Sequence, residues 1–181
     1  MKIKTIILSL IVMVFVTSCT DVMVFNVVTP PDIIVNVNNA GDAKITTPAS
    51  GKCKVVNQGK NGCLHFGKGE TGLINFKRTG PPSWAFNSLR ICKGDACEPE
   101  SNLNIWERIE FAVADGSGKA MLIPDSSGTV DLTQLADSED AFILLNQNTF
   151  AQEYYYSVDV CPSDGGDCST ADPPIENGGK H

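Results

Sequence analysis

Histidine is almost missing from this 181-residue chain: there are two, and one of them, His181, is the last residue. No Cys-x-x-Cys pair occurs, so the sequence lacks the ligand spacing of a zinc or iron–sulfur site. Neither G-x-S-x-G nor the D-x-[DN]-x-[DN]-G calcium loop is present. Aromatic residues make up only 7% and charged residues 19%, which excludes a coiled coil and a disordered acidic tail. Glycine (16) and proline (10) follow no period, so collagen-like and low-complexity chains are excluded, and no internal repeat is apparent. The longest apolar run, Ile6–Val16, is broken only by Ser9 and falls well short of the ~20 residues needed to cross about 30 Å of hydrocarbon. What remains is a chain of ordinary single-domain length, able to bury about 70% of its unfolded surface.

That apolar run follows Met1-Lys2-Ile3-Lys4, giving the basic and hydrophobic regions of a secretory signal. Directly after it stands Val16-Thr17-Ser18-Cys19, which resembles the lipobox of bacterial lipoprotein precursors. The resemblance implies a signal peptide over 1–18, a diacylglyceryl group on the Cys19 thiol, cleavage before Cys19 and acylation of the new amine. The partner so implied is a lipid bilayer. One acyl chain holds a protein only marginally, whereas two or three hold it almost permanently. In Gram-negative members an aspartate immediately after the cysteine retains the protein at the inner membrane. Here Thr20 takes that place and Asp21 comes one later, so the expected location is the outer membrane, on either its periplasmic or its surface face.

Seven cysteines are an odd number for an exported chain; setting Cys19 aside leaves Cys53, Cys63, Cys92, Cys97, Cys161 and Cys168. An even set suits an oxidising compartment. Each successive pair encloses turn formers: Gly59 and Asn61-Gly62, then Gly94-Asp95, then Asp164-Gly165-Gly166-Asp167. Glycine, asparagine and aspartate tolerate the positive φ of tight turns, so flanking cysteines are brought close. Fifteen pairings exist on paper, and we expect the three local ones. Loops this small give at most about 2–3 kcal/mol each.

Charge is unevenly distributed. The whole chain carries −7, and the portion from Cys19 onward carries −9. Within that portion, residues 19–93 have nine basic and four acidic groups, and residues 94–181 have three basic and seventeen acidic. Ion pairing between the halves of one domain or an acidic binding face would each account for the split. Nucleic acid is not an expected partner, because phosphate binding needs a dominant basic surface.

Apolar alternation dominates the remainder. Tyr154, Tyr156, Val158 and Val160 share one side of a strand whose other side carries Glu153, Tyr155, Ser157 and Asp159. Ile105, Ile109, Phe111 and Val113 are read, with Glu107, as one face of another strand, opposite Trp106, Arg108, Glu110 and Ala112. Shorter strands are expected at Val22–Val28, Ile33–Val37, Leu73–Lys77, Trp84–Ile91, Lys119–Ile123, Thr129–Leu132 and Ala141–Leu145, with a helical turn only within Asp131–Asp140. Gly41–Gly51 reads as a linker or long loop. The expectation is an all-β chain: residues 19–52 form an N-terminal segment and linker, and 53–181 a single small β-sandwich, or barrel-like domain, with disulfide-closed turns.

Candidate chemistry is sparse. Gly67-Lys68-Gly69-Glu70-Thr71-Gly72 fits G-x-G-x-x-G, yet a strand rather than a helix follows, so it is read as a glycine-rich turn. His65 lacks a Ser or Cys partner in any recognisable triad pattern. Asp125, Asp131, Asp137, Glu139 and Asp140 crowd one region and are read as solvated surface. Glu107 and Glu110 would serve glycoside hydrolysis only as a facing pair in a cleft, and their odd spacing on a strand argues against it. No catalytic, cofactor-binding or metal-binding residue is therefore assigned. Trp84, Trp106 and Tyr155 are the candidate platform for stacking a sugar or peptide.

The tail Ala171-Asp172-Pro173-Pro174-Ile175-Glu176-Asn177-Gly178-Gly179 resembles the Asp-Pro-x-Ile-x-Asn ending of the small bacterial β-sandwich DP-EP family, and a Glu98-Pro99 dipeptide lies upstream. The likeness spans roughly Thr71 to Gly179 and implies a small all-β fold with a final extended strand. The lipobox, the linker and the cysteines are not part of that pattern. Asp172 must also be extended, since residues before proline avoid the helical region. Together these readings lead to an envelope lipoprotein acting as a binding or structural module for a protein or glycan. The alternative is an exported hydrolase using carboxylates of the acidic half.

Overall fold

A computed structural model describes residues 26–54, 57, 59–93, 97, 103–118, 120–136 and 138–179. The signal sequence, Val22–Phe25 and Cys19 lie outside the described residues, as do Lys119 and Asp137. The chain is a β-sandwich of two sheets. Its strands are β1 (Asn26–Val28), β2 (Ile33–Val37), β3 (Ala43–Ile45), β4 (Leu64–Phe66), β5 (Glu70–Thr79), β6 (Trp84–Lys93), β7 (Phe111–Asp115), β8 (Met121–Leu122), β9 (Thr129–Asp131), β10 (Ala141–Asn146), β11 (Glu153–Pro162), β12 (Ser169–Ala171) and β13 (Pro174–Asn177). One short helix, α1 (Ile105–Arg108), precedes β7, and a 3-10 turn (Leu132–Gln134) follows β9. Among the described residues no helix is long and apolar enough to cross a membrane.

The first sheet runs β3-β2-β5-β10-β7-β8, with β1 also paired to β5; the second runs β4-β13-β11-β6-β9, with β12 on β11. The pairs β1–β5, β2–β5 and β4–β13 are parallel and the others antiparallel. The period-two pattern has the expected result: Tyr154, Tyr156, Val158 and Val160 are fully buried, as are Ile33 and Val35. Phe76 and Phe142, direct cross-strand partners, stack with ring centroids 4.5 Å apart. Tyr156 from the other sheet meets Phe76 edge-on, and Phe86 does the same to Phe142. Such aromatic pairs add about 0.5–1.5 kcal/mol beyond the area they bury. In β6 the buried positions Phe86, Leu89 and Ile91 are spaced three and then two apart. A bulge accommodates this: Asp159 pairs with Ser88 and Val160 with Phe86, leaving Asn87 as the extra residue.

Two expectations are corrected. Gly41–Gly51 is not a linker throughout, because it carries β3, which pairs with β2 from Val35 to Val37. Its backbone continues into a loop whose Thr47 accepts a hydrogen bond from the Ile34 N–H and donates one to the Asp32 carbonyl. The sheets therefore draw in residues from 26 onward. The strand expected over Ile105–Val113 is α1 followed by β7. Asn104 caps the helix by accepting from the Trp106 and Glu107 N–H groups, and Glu107 returns a bond to the Asn104 N–H. That capping box, Asn104-x-x-Glu107, favours a helix start over a continuous strand. Consequently Ile105 and Ile109 are exposed while Phe111 and Val113 are buried, so the four do not share a face.

All three local cysteine pairs are bridged: Cys53–Cys63, Cys92–Cys97 and Cys161–Cys168, with Cα–Cα separations of 6.5, 5.2 and 4.2 Å. Three ion pairs join the basic and acidic halves. Lys54 pairs with Glu153, Arg78 with Asp140 and Lys93 with Glu107.

Candidate functional site

Strand directions define two ends. Asn26 lies opposite Glu70, the first residue of β5, and Gly72 lies opposite Asn146, which faces Phe111. The other end of β5 leads through Gly80 to Trp84, which pairs with Pro162. At about 3.3 Å per residue, the ten residues of β5 set these ends some 30 Å apart.

At the Trp84 end three turns converge. The β2–β3 turn is closed by the Gly41 N–H donating to the Asn38 carbonyl, and the Asn38 side-chain oxygen accepts from the N–H groups of Ala40 and Asp42. The β5–β6 turn meets the bridged β11–β12 turn where the Ser163 N–H donates to the Ser83 carbonyl, 2.7 Å away. The first and third are joined by the Ala43 N–H donating to the Ser169 hydroxyl at 2.8 Å. Between them opens a cleft of about 510 Å³ whose lining includes Trp84, Ser83, Asp42, Asp164, Asp167 and Ser169. Gly41 has φ +91°, and a Cβ there would sit 2.9 Å from the Trp84 ring, so this glycine gives the indole its room on that side. Among the described residues, three carboxylates and no cation line the cleft. Trp84 is half-buried and packs against the core, and the part of it that reaches the cleft, ringed by acceptors, suits a ligand bearing cationic groups or a dense set of hydroxyl donors.

The three aromatic candidates are not brought together. Trp84 lies in the cleft; Tyr155 pairs with Cys92 near the opposite end of β6, and Trp106 sits on α1. Tyr155 is buried: the Lys60 ammonium lies 5.5 Å from its ring centroid and its hydroxyl donates to Glu153. Trp106 is 66% exposed.

The carboxylates are largely committed to holding the fold. Asp125 receives the Ser127 and Thr129 N–H groups and the Ser127 hydroxyl; burial pushes its carboxyl up, but these bonds outweigh that and hold it below the ordinary value. Asp131 is held low first by the Thr133 hydroxyl and then by Gln134, and it caps the 3-10 turn. Glu107 is tied to Lys93 and to its own helix cap. Glu110, only 1% exposed, accepts from the Thr149 N–H (3.0 Å), the Asn177 side chain (3.0 Å) and the Tyr154 hydroxyl (3.0 Å). Desolvation outweighs these bonds and raises its carboxyl above the ordinary range, and burial together with the neighbouring Glu110 carboxylate raises the Tyr154 phenol.

His65 stands on β4 with Nδ1 3.2 Å from Glu176. Glu176 is 2% exposed and also accepts the Lys54 N–H and an Asn57 side-chain N–H. Cys53, Cys63 and Glu176 bring ligand-type atoms within 4.8 Å of one another, but the two sulfurs are bonded to each other and so are not available as thiolates. Gly67–Gly69 form the turn from β4 into β5 and Glu70–Gly72 begin β5, with no helix after them; a Cβ at Gly72 would meet the Phe66 ring at 2.5 Å, so packing explains that glycine.

No family model matches the chain. No curated protein matches it either. Among solved structures, that of reduced rusticyanin is similar at a TM-score of 0.30 and 14% identity, over 83% of this chain and 84% of that one. A likeness of that size carries no argument about what this chain binds.

Proposed function

We propose that the protein is an outer-membrane lipoprotein, held to the bilayer by acyl chains on Cys19, that binds an envelope protein or glycan in the cleft at Trp84. The observation that carries this reading is the separation of the two ends. Cys19 lies seven residues before Asn26, and the cleft opens some 30 Å away at the other end of β5. A protein tethered at one end and open at the other presents its cleft away from the lipid. The bridged Cys161–Cys168 turn supports the reading, because it fixes one wall of the cleft without needing a larger core beneath it.

The test is capture from envelope extracts by immobilised mature chain, comparing wild type with Trp84→Ala and with Asp164→Asn/Asp167→Asn. A specific partner held by wild type and lost from both variants supports the cleft. A partner retained equally by all three, or turnover of a glycan by the wild-type chain, sinks the binding reading.

A further inference from the structure

Helix α1 is built inside out. Its buried residue is the charged Glu107, while Ile105 (53%) and Trp106 (66%) face solvent, as does Ile109 at its C-cap (41%). Burial in this domain cannot explain apolar side chains placed that way, because the core they would join is already sealed by Phe111, Val113 and Leu144. Two more exposed apolar residues lie at the same end: Phe150, whose N–H approaches Glu110, and Val27, opposite Thr71 on β5. The row Val28–Gly72–Asn146–Phe111 crosses four strands at this end, and the Gln147 side chain reaches the Ile109 carbonyl just beyond it. Among the described residues, five of the seven exposed large apolar side chains thus lie at the end where the chain departs toward Cys19; the other two, Met121 and Ile123, lie on and just after the edge strand β8.

We infer that this end docks onto the lipid surface, with Trp106, Ile105, Ile109 and Phe150 entering the headgroup zone. The inference rests on the lipid-anchor reading given above. Asn26 lies seven positions after Cys19, a reach of at most about 24 Å when fully extended. Four of the six residues between them, Val22-Met23-Val24-Phe25, are apolar, which ill suits a solvated leash. So short and apolar a tether holds this end beside the bilayer and leaves little room for a protein between them. Tryptophan is the side chain best matched to that boundary, since its indole joins a large apolar surface to one N–H donor. The docked end fixes the domain upright and aims the Trp84 cleft outward.

The two tryptophans, one at each end, supply the experiment. The mature lipoprotein is reconstituted into phosphatidylcholine vesicles containing brominated acyl chains, as Trp84→Phe to isolate Trp106 and as Trp106→Phe to isolate Trp84; Trp84→Tyr replaces the first if phenylalanine impairs folding. A parallel arm tethers the mature Cys19→Ala chain through an N-terminal histidine tag to nickel-chelating lipid, so that docking is read whether or not Cys19 is acylated. Docking predicts that Trp106 shifts to the blue and loses most of its emission in both arms, that Trp84 does neither, and that Ile105→Asp/Ile109→Asp abolishes the effect. Trp106 left unquenched on a tethered chain overturns the inference, and a protein cover for the patch then becomes the explanation to pursue. Equal quenching of both tryptophans, or quenching that survives the aspartates, overturns it too. Failure of the acylated arm alone, with the nickel arm intact, counts against the lipid anchor and not against docking.

Discussion

At the Asn26 end, Glu110 plugs the gap between the sheets, with Tyr154, Asn177 and the Thr149 N–H all donating to it, and apolar residues stand outside this polar seal. At the Trp84 end the buried charge is Arg78, which donates to the Pro81 carbonyl and pairs with Asp140; beyond it three turns meet around an open acidic cleft, and a disulfide and a left-handed glycine hold its walls. One end spends its polar groups on internal bonds and its apolar groups on the exterior, and the other leaves carboxylates facing solvent.

The sharpest break in that comparison comes from Glu110→Ala, which leaves the buried Tyr154 hydroxyl and the half-buried Thr149 N–H unpaired at about 1–3 kcal/mol each, while the Asn177 side chain keeps Asn146 as an acceptor. We expect a loss of about 2–6 kcal/mol in urea denaturation, against a change within about 0.5 kcal/mol for Asp164→Ala at the cleft. Equal losses would dissolve the distinction between the ends. Removing a bridge should come next, at about 2–3 kcal/mol. Cys53→Ser/Cys63→Ser should cost more than Cys161→Ser/Cys168→Ser, because the first loop also brings the Lys54 N–H and Asn57 to buried Glu176; the reverse order in thermal melts would refute that role.

A subtler effect belongs to Glu110→Gln. The folded carboxyl is raised, so its contribution is fully present below the unfolded value near 4.5 and is lost as pH rises through the higher folded value. Glutamine cannot ionise, so the variant's stability should fall less than wild type's between those two points. Parallel pH profiles would show that Glu110 does not titrate as described. The smallest effect is expected for Asp32→Ala, where a surface pair with Lys77 holds the carboxyl low. That contribution is present above the ordinary carboxyl value and is lost as pH falls through the lowered one. Its loss should be no more than about 1 kcal/mol, measured by the same melts.

Much of the sandwich was legible because its central strands obey a period of two on one covered face. Ile33–Val37 and Glu153–Val160 display that plainly, and the turn formers between successive cysteines marked the three bridges. The Ile105–Val113 stretch misled because its apolar residues at 105 and 109 suit a helix turn as well as a strand, and the Asn104–Glu107 cap was the deciding signal. Strand β3 escaped notice because three residues flanked by Gly41 and Pro48 show too little alternation to read. Of the cleft, Trp84 alone was legible. Asp42 and Ser169 join it through contacts between segments 126 residues apart, which no local pattern encodes. Glu110 was read on the strand face opposite the apolar residues, since a burial that depends on Tyr154 and Asn177 is invisible in the residues beside it.

The claim that one end belongs to lipid is tested most directly by metabolic labelling with palmitate, comparing wild type with Cys19→Ala. Label entering the wild-type protein in the membrane fraction, and absent from a variant that is released to the soluble fraction, is the predicted result. An unlabelled wild-type protein, or label that survives the substitution, would contradict it.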